Sequence, residues 1–146
     1  MGQGISERVR IVELRKSDAS LPRLKYRYVT SSYYDLSICH EGESWKIKLS
    51  LKPIEKALEK KSESALFAEH VEEPRAFAAE LNGEQVGWIE LSHHKWNNRM
   101  RVWQFLVKEE LRRRGEGTLL MKHAVKLAKE KGARMLVLET QSCNIP

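Results

Sequence analysis

The run Arg112-Arg113-Arg114-Gly115-Glu116-Gly117-Thr118 constrains this chain more than any other. A strand-like segment ends just before it at Val107, and Leu119, Leu120, Ala124, Leu127 and Ala128 recur after it at three- and four-residue spacings. That spacing predicts an amphipathic helix with one face on a sheet, terminated by Gly132. A last strand over residues 134–140 would then return parallel to the first through a right-handed crossover. The two glycines leave room for an anion against the main chain, where the first amides of a helix have no intrahelical partner. The helix dipole adds to that attraction. Three arginines offer forked donors suited to phosphate oxygens, although some of them could simply face solvent. Neither the dinucleotide-binding glycine fingerprint nor the Walker phosphate loop is present.

Upstream, Val9-Arg10-Ile11-Val12-Glu13-Leu14 alternates and predicts a first strand, with Ser17-Asp18 able to start a short helix. Residues 25–39 and 45–51 are separated by Glu41-Gly42-Glu43 and predict a β-hairpin. Pro53 fits the first turn of a short helix through about Lys60. Residues 75–81 and 85–91 flank Asn82-Gly83-Glu84, a strong hairpin signal, and Asn97-Asn98-Arg99 turns the chain into a strand from Met100 to Val107. The expectation is an antiparallel meander followed by the crossover, all within one domain spanning residues 1–146.

The spacing Arg112-x-x-Gly115-x-Gly117 resembles the acetyl-CoA pyrophosphate motif of the Gcn5-related N-acetyltransferases (GNAT). Val102-Trp103-Gln104-Phe105-Leu106-Val107 is similar to that family's central strand, and Met135-Leu136-Val137-Leu138-Glu139-Thr140 to the strand after its helix. Leu138-Glu139-Thr140-Gln141 with Asn144, Tyr33-Tyr34-Asp35 with Trp45, and Trp96-Asn97 resemble its streptothricin acetyltransferase-like branch. The resemblance implies an α/β fold of the acyl-CoA N-acyltransferase type, with a mixed, mostly antiparallel sheet and a β-α-β cofactor crossover. It implies that pantetheine lies along the backbone near Leu106 and Val107. Pyrophosphate would lie against the backbone of Arg112, Arg113, Arg114, Gly115, Glu116, Gly117 and Thr118, the Glu116 side chain pointing away, with Asn144 fixing the cofactor arm. Relative to the family, the chain reads as C-terminally incomplete, lacking a helix and two strands that carry a tyrosine general acid. An unpaired last strand would then favour self-association at its edge.

The reaction so implied is acetyl transfer from acetyl-CoA to a small primary amine, such as one on a streptothricin-like antibiotic. An amine of pKa about 10.4 must lose a proton before it attacks, and the oxyanion that forms needs donors. Related sequences often place Glu where this chain has Trp103, so the base cannot be carried over. Glu90 is a candidate substitute, though a strand carboxylate there is expected to face solvent. His93 and His94 have suitable intrinsic pKa values, and the side taken by Glu139 depends on register. Trp45, Trp88, Trp96 and Trp103 could line a pocket or fill a core.

Twenty-six basic against 20 acidic residues give a net charge of +6. The charge suits anionic partners, CoA among them, but no recognition motif accompanies it, so nucleic acid is not expected. Cys39 and Cys143 stand apart and suggest neither a disulfide nor a metal site. Gly2 followed by Ser6 matches a minimal myristoylation pattern, but a short one. No apolar run approaches a membrane span, and the expectation is a cytoplasmic protein with no membrane partner. Two other functions remain open: a CoA-binding module without transfer activity, and charge-driven nucleic-acid binding.

Overall fold

A computed structural model describes residues 9–145, so the Gly2 and Ser6 pattern lies outside the described residues. In chain order the elements are β1 (Arg10–Leu14), β2 (Arg23–Glu41), β3 (Ser44–Ala65), β4 (Arg75–Leu81), β5 (Glu84–His94), β6 (Arg99–Val107), a 3-10 turn (Glu109–Leu111), α1 (Glu116–Glu130) and β7 (Met135–Val137). They form two compact units, one of residues 9–24 and 64–138, the other of residues 25–63 and 139–145.

The first unit is built on a five-stranded sheet in the order β1-β4-β5-β6-β7. Asn82 and Gly83 both take positive φ (52° and 83°), which lets a two-residue turn close β4 onto β5 with the twist the strands need. Asn98, also at positive φ, turns β5 into β6; its side chain donates to Gly132 O at 2.9 Å and its carbonyl accepts Arg134 N–H at 2.9 Å. One asparagine thus ties the meander's turn to the end of the helix. Among the described strands of this sheet only β7 pairs in parallel, Arg99 with Met135 through Arg101 with Val137, and this completes the mixed sheet and the crossover.

Phe77, Ala79, Ile89, Leu91, Met100 and Val102 meet Leu120, Ala124, Leu127 and Ala128 in a single buried cluster. The helix stripe differs from the expected one at its start: Leu119 is exposed, and the i, i+4 series runs through Glu116 and Leu120 instead. The helix ends as expected at Gly132. The N–H of Gly132 donates to Lys129 O and that of Ala133 to Ala128 O, the paired bonds that a residue at φ +66° makes possible.

Three expected elements take another form. Ser17-Asp18 makes a turn rather than a helix, because the Asp18 carboxylate accepts Arg15 N–H at 2.8 Å and its own N–H returns to Arg15 O. The segment after Pro53 continues β3. Both strands of a two-stranded sheet are edges, where proline's missing donor is tolerated, and an Arg27–Glu59 ion pair at 2.6 Å holds the extended pairing across the presumed helix. The last strand stops at Val137, and residues 138–140 leave the sheet.

The second unit is the β2–β3 hairpin with the C-terminal segment. Tyr34 N–H donates to Ser142 O at 2.9 Å, and Tyr28 Oη meets Gln141 Oε1 and, at 3.4 Å, Cys143 Sγ. The hydrogen bond with Cys143, followed by burial, pushes the Tyr28 phenol up to about 12.

Candidate functional site

Strand β6 has a neighbour on one side along its length and on the other for only three residues. Towards β5 it pairs from Arg99 to Val107; towards β7 it pairs only from Arg99 to Arg101. From Val102 to Val107 that side carries no strand among the described residues. A strand edge with no strand beside it is what an extended ligand arm can line, in the manner of an added strand.

The register against β5 breaks once. Glu90 faces Gln104 and Leu91 faces Val102, so Trp103 is the extra residue of a bulge on β6. The bulge turns the indole to donate from Nε1 to Ser92 Oγ at 2.7 Å, and the Arg101 guanidinium lies over the ring at 4.1 Å. His70 meets the same ring edge-on at 5.5 Å and His94 lies at 5.9 Å. Strand β6 therefore carries, at the position expected to hold a base, an aromatic platform ringed by two imidazoles and a cation.

Glu90 is not solvent-facing. Its side chain is fully buried, on a strand covered on both faces; one oxygen accepts Phe67 N–H at 2.5 Å, and Oε2 has no partner. Burial pushes its carboxyl above the usual range, opposed by the Phe67 bond and by His70. Of the other candidates, His93 Nε2 bonds Asn98 Oδ1 at 2.8 Å, and Glu139 belongs to the second unit. Trp88 is core, whereas Trp45 and Trp96 are exposed. His70 and Ser92 were not legible beforehand, because they reach Trp103 only through the bulge and through the loop before β4.

Beyond Val107 the chain is pinned by Lys108 N–H to Val86 O at 2.9 Å and by Arg112 Nε to Val107 O at 3.2 Å. Arg113 at φ 67° and Gly115 at φ 112° then bend it so that Gly115 is the N-cap of α1 and Glu116 its first residue. No side chain caps this end. Among the described residues, no acceptor engages the amides of Glu116, Gly117 and Thr118. Space is open where a Cβ on Gly115 would lie, and a Cβ on Gly117 would sit 3.4 Å from Phe105 Cζ. Arg113 and Arg114 are exposed and carry no ion pair among the described residues. The Glu116 side chain turns inward, buried on the helix stripe with Oε2 unpartnered.

The structure thus groups Leu106, Val107 and the run from Arg112 to Thr118 in one unit, at one end of β6. Asn144 is in the other unit, where its side chain donates to Thr140 Oγ1 at 3.3 Å. Among the described residues no cluster of His, Cys, Asp and Glu could hold a metal, and no helix is long and apolar enough to cross a membrane.

A split parallel edge, a bulged β6 and an uncapped glycine-led helix characterise this sheet. Residues 33–146 match the Acetyltransferase (GNAT) family, and the chain belongs to it. Over 69 residues it is 35% identical to the streptothricin acetyltransferase of Streptomyces lavendulae, a match that takes in 47% of this chain and 36% of that protein. The matched part is thus about a third of that relative's length. The crystal structure of nourseothricin acetyltransferase superposes with a TM-score of 0.71 at 26% identity, over 94% of this chain and 76% of that one. A Bacillus anthracis str. Ames protein assigned as a streptothricin acetyltransferase, solved with acetyl coenzyme A, shares the fold with a TM-score of 0.73 at 23% identity, over 94% and 75%.

Proposed function

We propose that this chain transfers acetyl from acetyl-CoA to a small primary amine, and that an amine of a streptothricin-type antibiotic is the first acceptor to test. The observation that carries the reading is the uncapped start of α1, whose three free amides lie at the end of the half-open strand β6. Such an end attracts a doubly charged diphosphate through oriented N–H groups and the helix dipole together.

The residues fit the cofactor in a definite order. Main-chain groups near Leu106 and Val107 would hold the pantetheine arm. The backbone from Arg112 to Thr118 would hold the diphosphate, with Arg113 and Arg114 free to add charge. Acetyl-CoA, when bound, supplies the acyl group as an activated thioester. The chain orients that group against the acceptor amine and provides groups that take its proton. Around the bulge, His70 and His94 are the imidazoles placed beside Trp103.

Titration calorimetry with acetyl-CoA and with CoA tests the cofactor assignment; an absence of heat for both would end it. Thiol release across a panel of amines, streptothricin included, then tests transfer. A second reading, a CoA binder without transfer, is favoured by one observation: an indole rather than a carboxylate sits on the bulge of β6. Tight cofactor binding with no thiol release for any amine would select it.

A further inference from the structure

Among the described residues, the exposed large hydrophobic side chains concentrate on the β2–β3 hairpin. Its strands are joined by the two residues Gly42 and Glu43, so counting back from the turn sets Tyr34, Leu36, Ile38 and His40 opposite Leu51, Leu49, Ile47 and Trp45. Strand alternation puts all eight on one face. The His40 and Trp45 rings, 4.4 Å apart, bear out this register. The other face takes Asp35, Ser37, Cys39 and Glu41 with Ser44, Lys46, Lys48, Ser50 and Lys52, laced by Lys46–Glu41 and Lys52–Asp35 ion pairs.

A hairpin this strictly divided is patterned to bury one face. Instead, every residue from 36 to 49 is exposed, and the seven apolar side chains of the face keep between 45% and 69% of their surface in water. Together they present on the order of 800 Å² of mostly apolar surface, more than the largest patch on a typical monomer and about what one partner contributes to a stable interface. A lone two-stranded hairpin is also marginal in water and gains stability when its apolar face meets a second layer.

We propose that this face is the interface with a second copy of this chain, the two hairpins packing face to face about a two-fold axis. A two-fold contact requires one patch to complement itself. This one does so chemically: it carries no Lys, Arg, Asp or Glu, so the chain's net charge of +6 is borne outside the contact. Its flat, alternating side chains can interdigitate with their own copies at the roughly 10 Å spacing of stacked sheets. By contrast, β7 offers only three residues of edge. This proposal is independent of acyl transfer.

Sedimentation velocity on the full chain at up to about 100 µM tests the proposal. The expected result is a species of twice 17.0 kDa. Ile47→Lys and, separately, Leu36→Ser with Leu49→Ser should each weaken the dimer ~100-fold or more, whereas Lys48→Glu on the opposite face should leave it intact. Circular dichroism identifies any variant that fails to fold, and the milder serine pair guards against losing the charged one. A wild-type monomer at the top concentration overturns the proposal. So does a dimer that survives in a folded apolar-face variant, or one lost in folded Lys48→Glu.

Discussion

Glu90 on β5 holds the backbone N–H of Phe67 at 2.5 Å, while its other carboxylate oxygen is buried without a partner. Phe67 itself is at φ 57°, a conformation that costs a bulky residue energy, so the bond fixes a strained turn onto the sheet. Because burial raises the Glu90 pKa in the fold, the unfolded chain ionises first as pH rises above the usual carboxylate value. Stability is therefore fully present below that value and falls until the pH passes the folded pKa. Glu90→Gln keeps an acceptor for Phe67 and removes the charge. It should be more stable than wild type by about 1–3 kcal/mol at pH 7, with the gap closing towards pH ~4.5. Urea midpoints across that range check it; curves that stay parallel for the two proteins would count against a buried ionised carboxylate.

Gly115 and Gly117 look alike in sequence but answer differently to substitution. At φ 112° Gly115 lies where L-residues are strained, so Gly115→Ala should cost about 1–2 kcal/mol and place a methyl in the open space beside the free amides. Gly117 has ordinary helical geometry, and its Cβ would make normal contact with Phe105 and Val107. Gly117→Ala should therefore be neutral or stabilising by about 0.5 kcal/mol. Acetyl-CoA titrated into both variants should show an affinity loss of ~10-fold or more for the first and little change for the second. Equal losses would argue against the backbone cradle.

Much of this architecture could be read in the chain because its signals were local. Asn82-Gly83 specifies a turn by backbone chirality, Gly132 ends a helix, and the strand-glycine-helix order dictates the crossover. The illegible parts depend on contacts distant in sequence. Glu90 is polar by identity and buried only because a loop 23 residues earlier folds over it. Pro53 opens a plausible helix, and only its pairing with β2 keeps the segment extended. Leu119 is exposed and Glu116 buried because a helix's phase is set by the sheet beneath it, and one residue turns the stripe by about 100°. The bulge at Trp103 leaves no sequence mark at all, since it is a mismatch between two strands rather than a property of either.

His123 lies against Phe77 with ring centroids 4.4 Å apart, its Nε2 buried without a partner. Burial first, then the charges of Arg75 and Lys126, lower its pKa in the fold, with Glu130 and Glu13 opposing. Well above pH ~6.5 the imidazole is neutral in both states and adds no pH dependence. As pH falls below that value the unfolded chain takes up the proton first, so this group draws stability down until the folded pKa is passed. His123→Leu should remove that acid-side loss, giving a smaller drop in thermal midpoint between pH 7.5 and 5.5 than wild type shows. An unchanged drop would mean that the ring is solvated when charged. Because Glu90 acts in the opposite direction, the comparison is cleanest in the Glu90→Gln background.

Glu116 sets two physical effects against each other at the start of α1. A carboxylate in the first helical turn gains about 0.3–1 kcal/mol from the dipole. Burial with an unpartnered oxygen costs about 1–3 kcal/mol, and the position belongs to the apolar stripe one turn before Leu120. The cost exceeds the gain. Glu116→Leu should raise stability by about 1–2 kcal/mol, read as a higher urea midpoint with unchanged slope. The same change removes a negative charge close to the amides proposed to hold a diphosphate, so acetyl-CoA affinity should rise, most clearly at low ionic strength. A lower midpoint would show that the carboxylate is satisfied by water or by neighbouring groups. Higher stability with unchanged affinity at every salt concentration would mean instead that the diphosphate binds elsewhere.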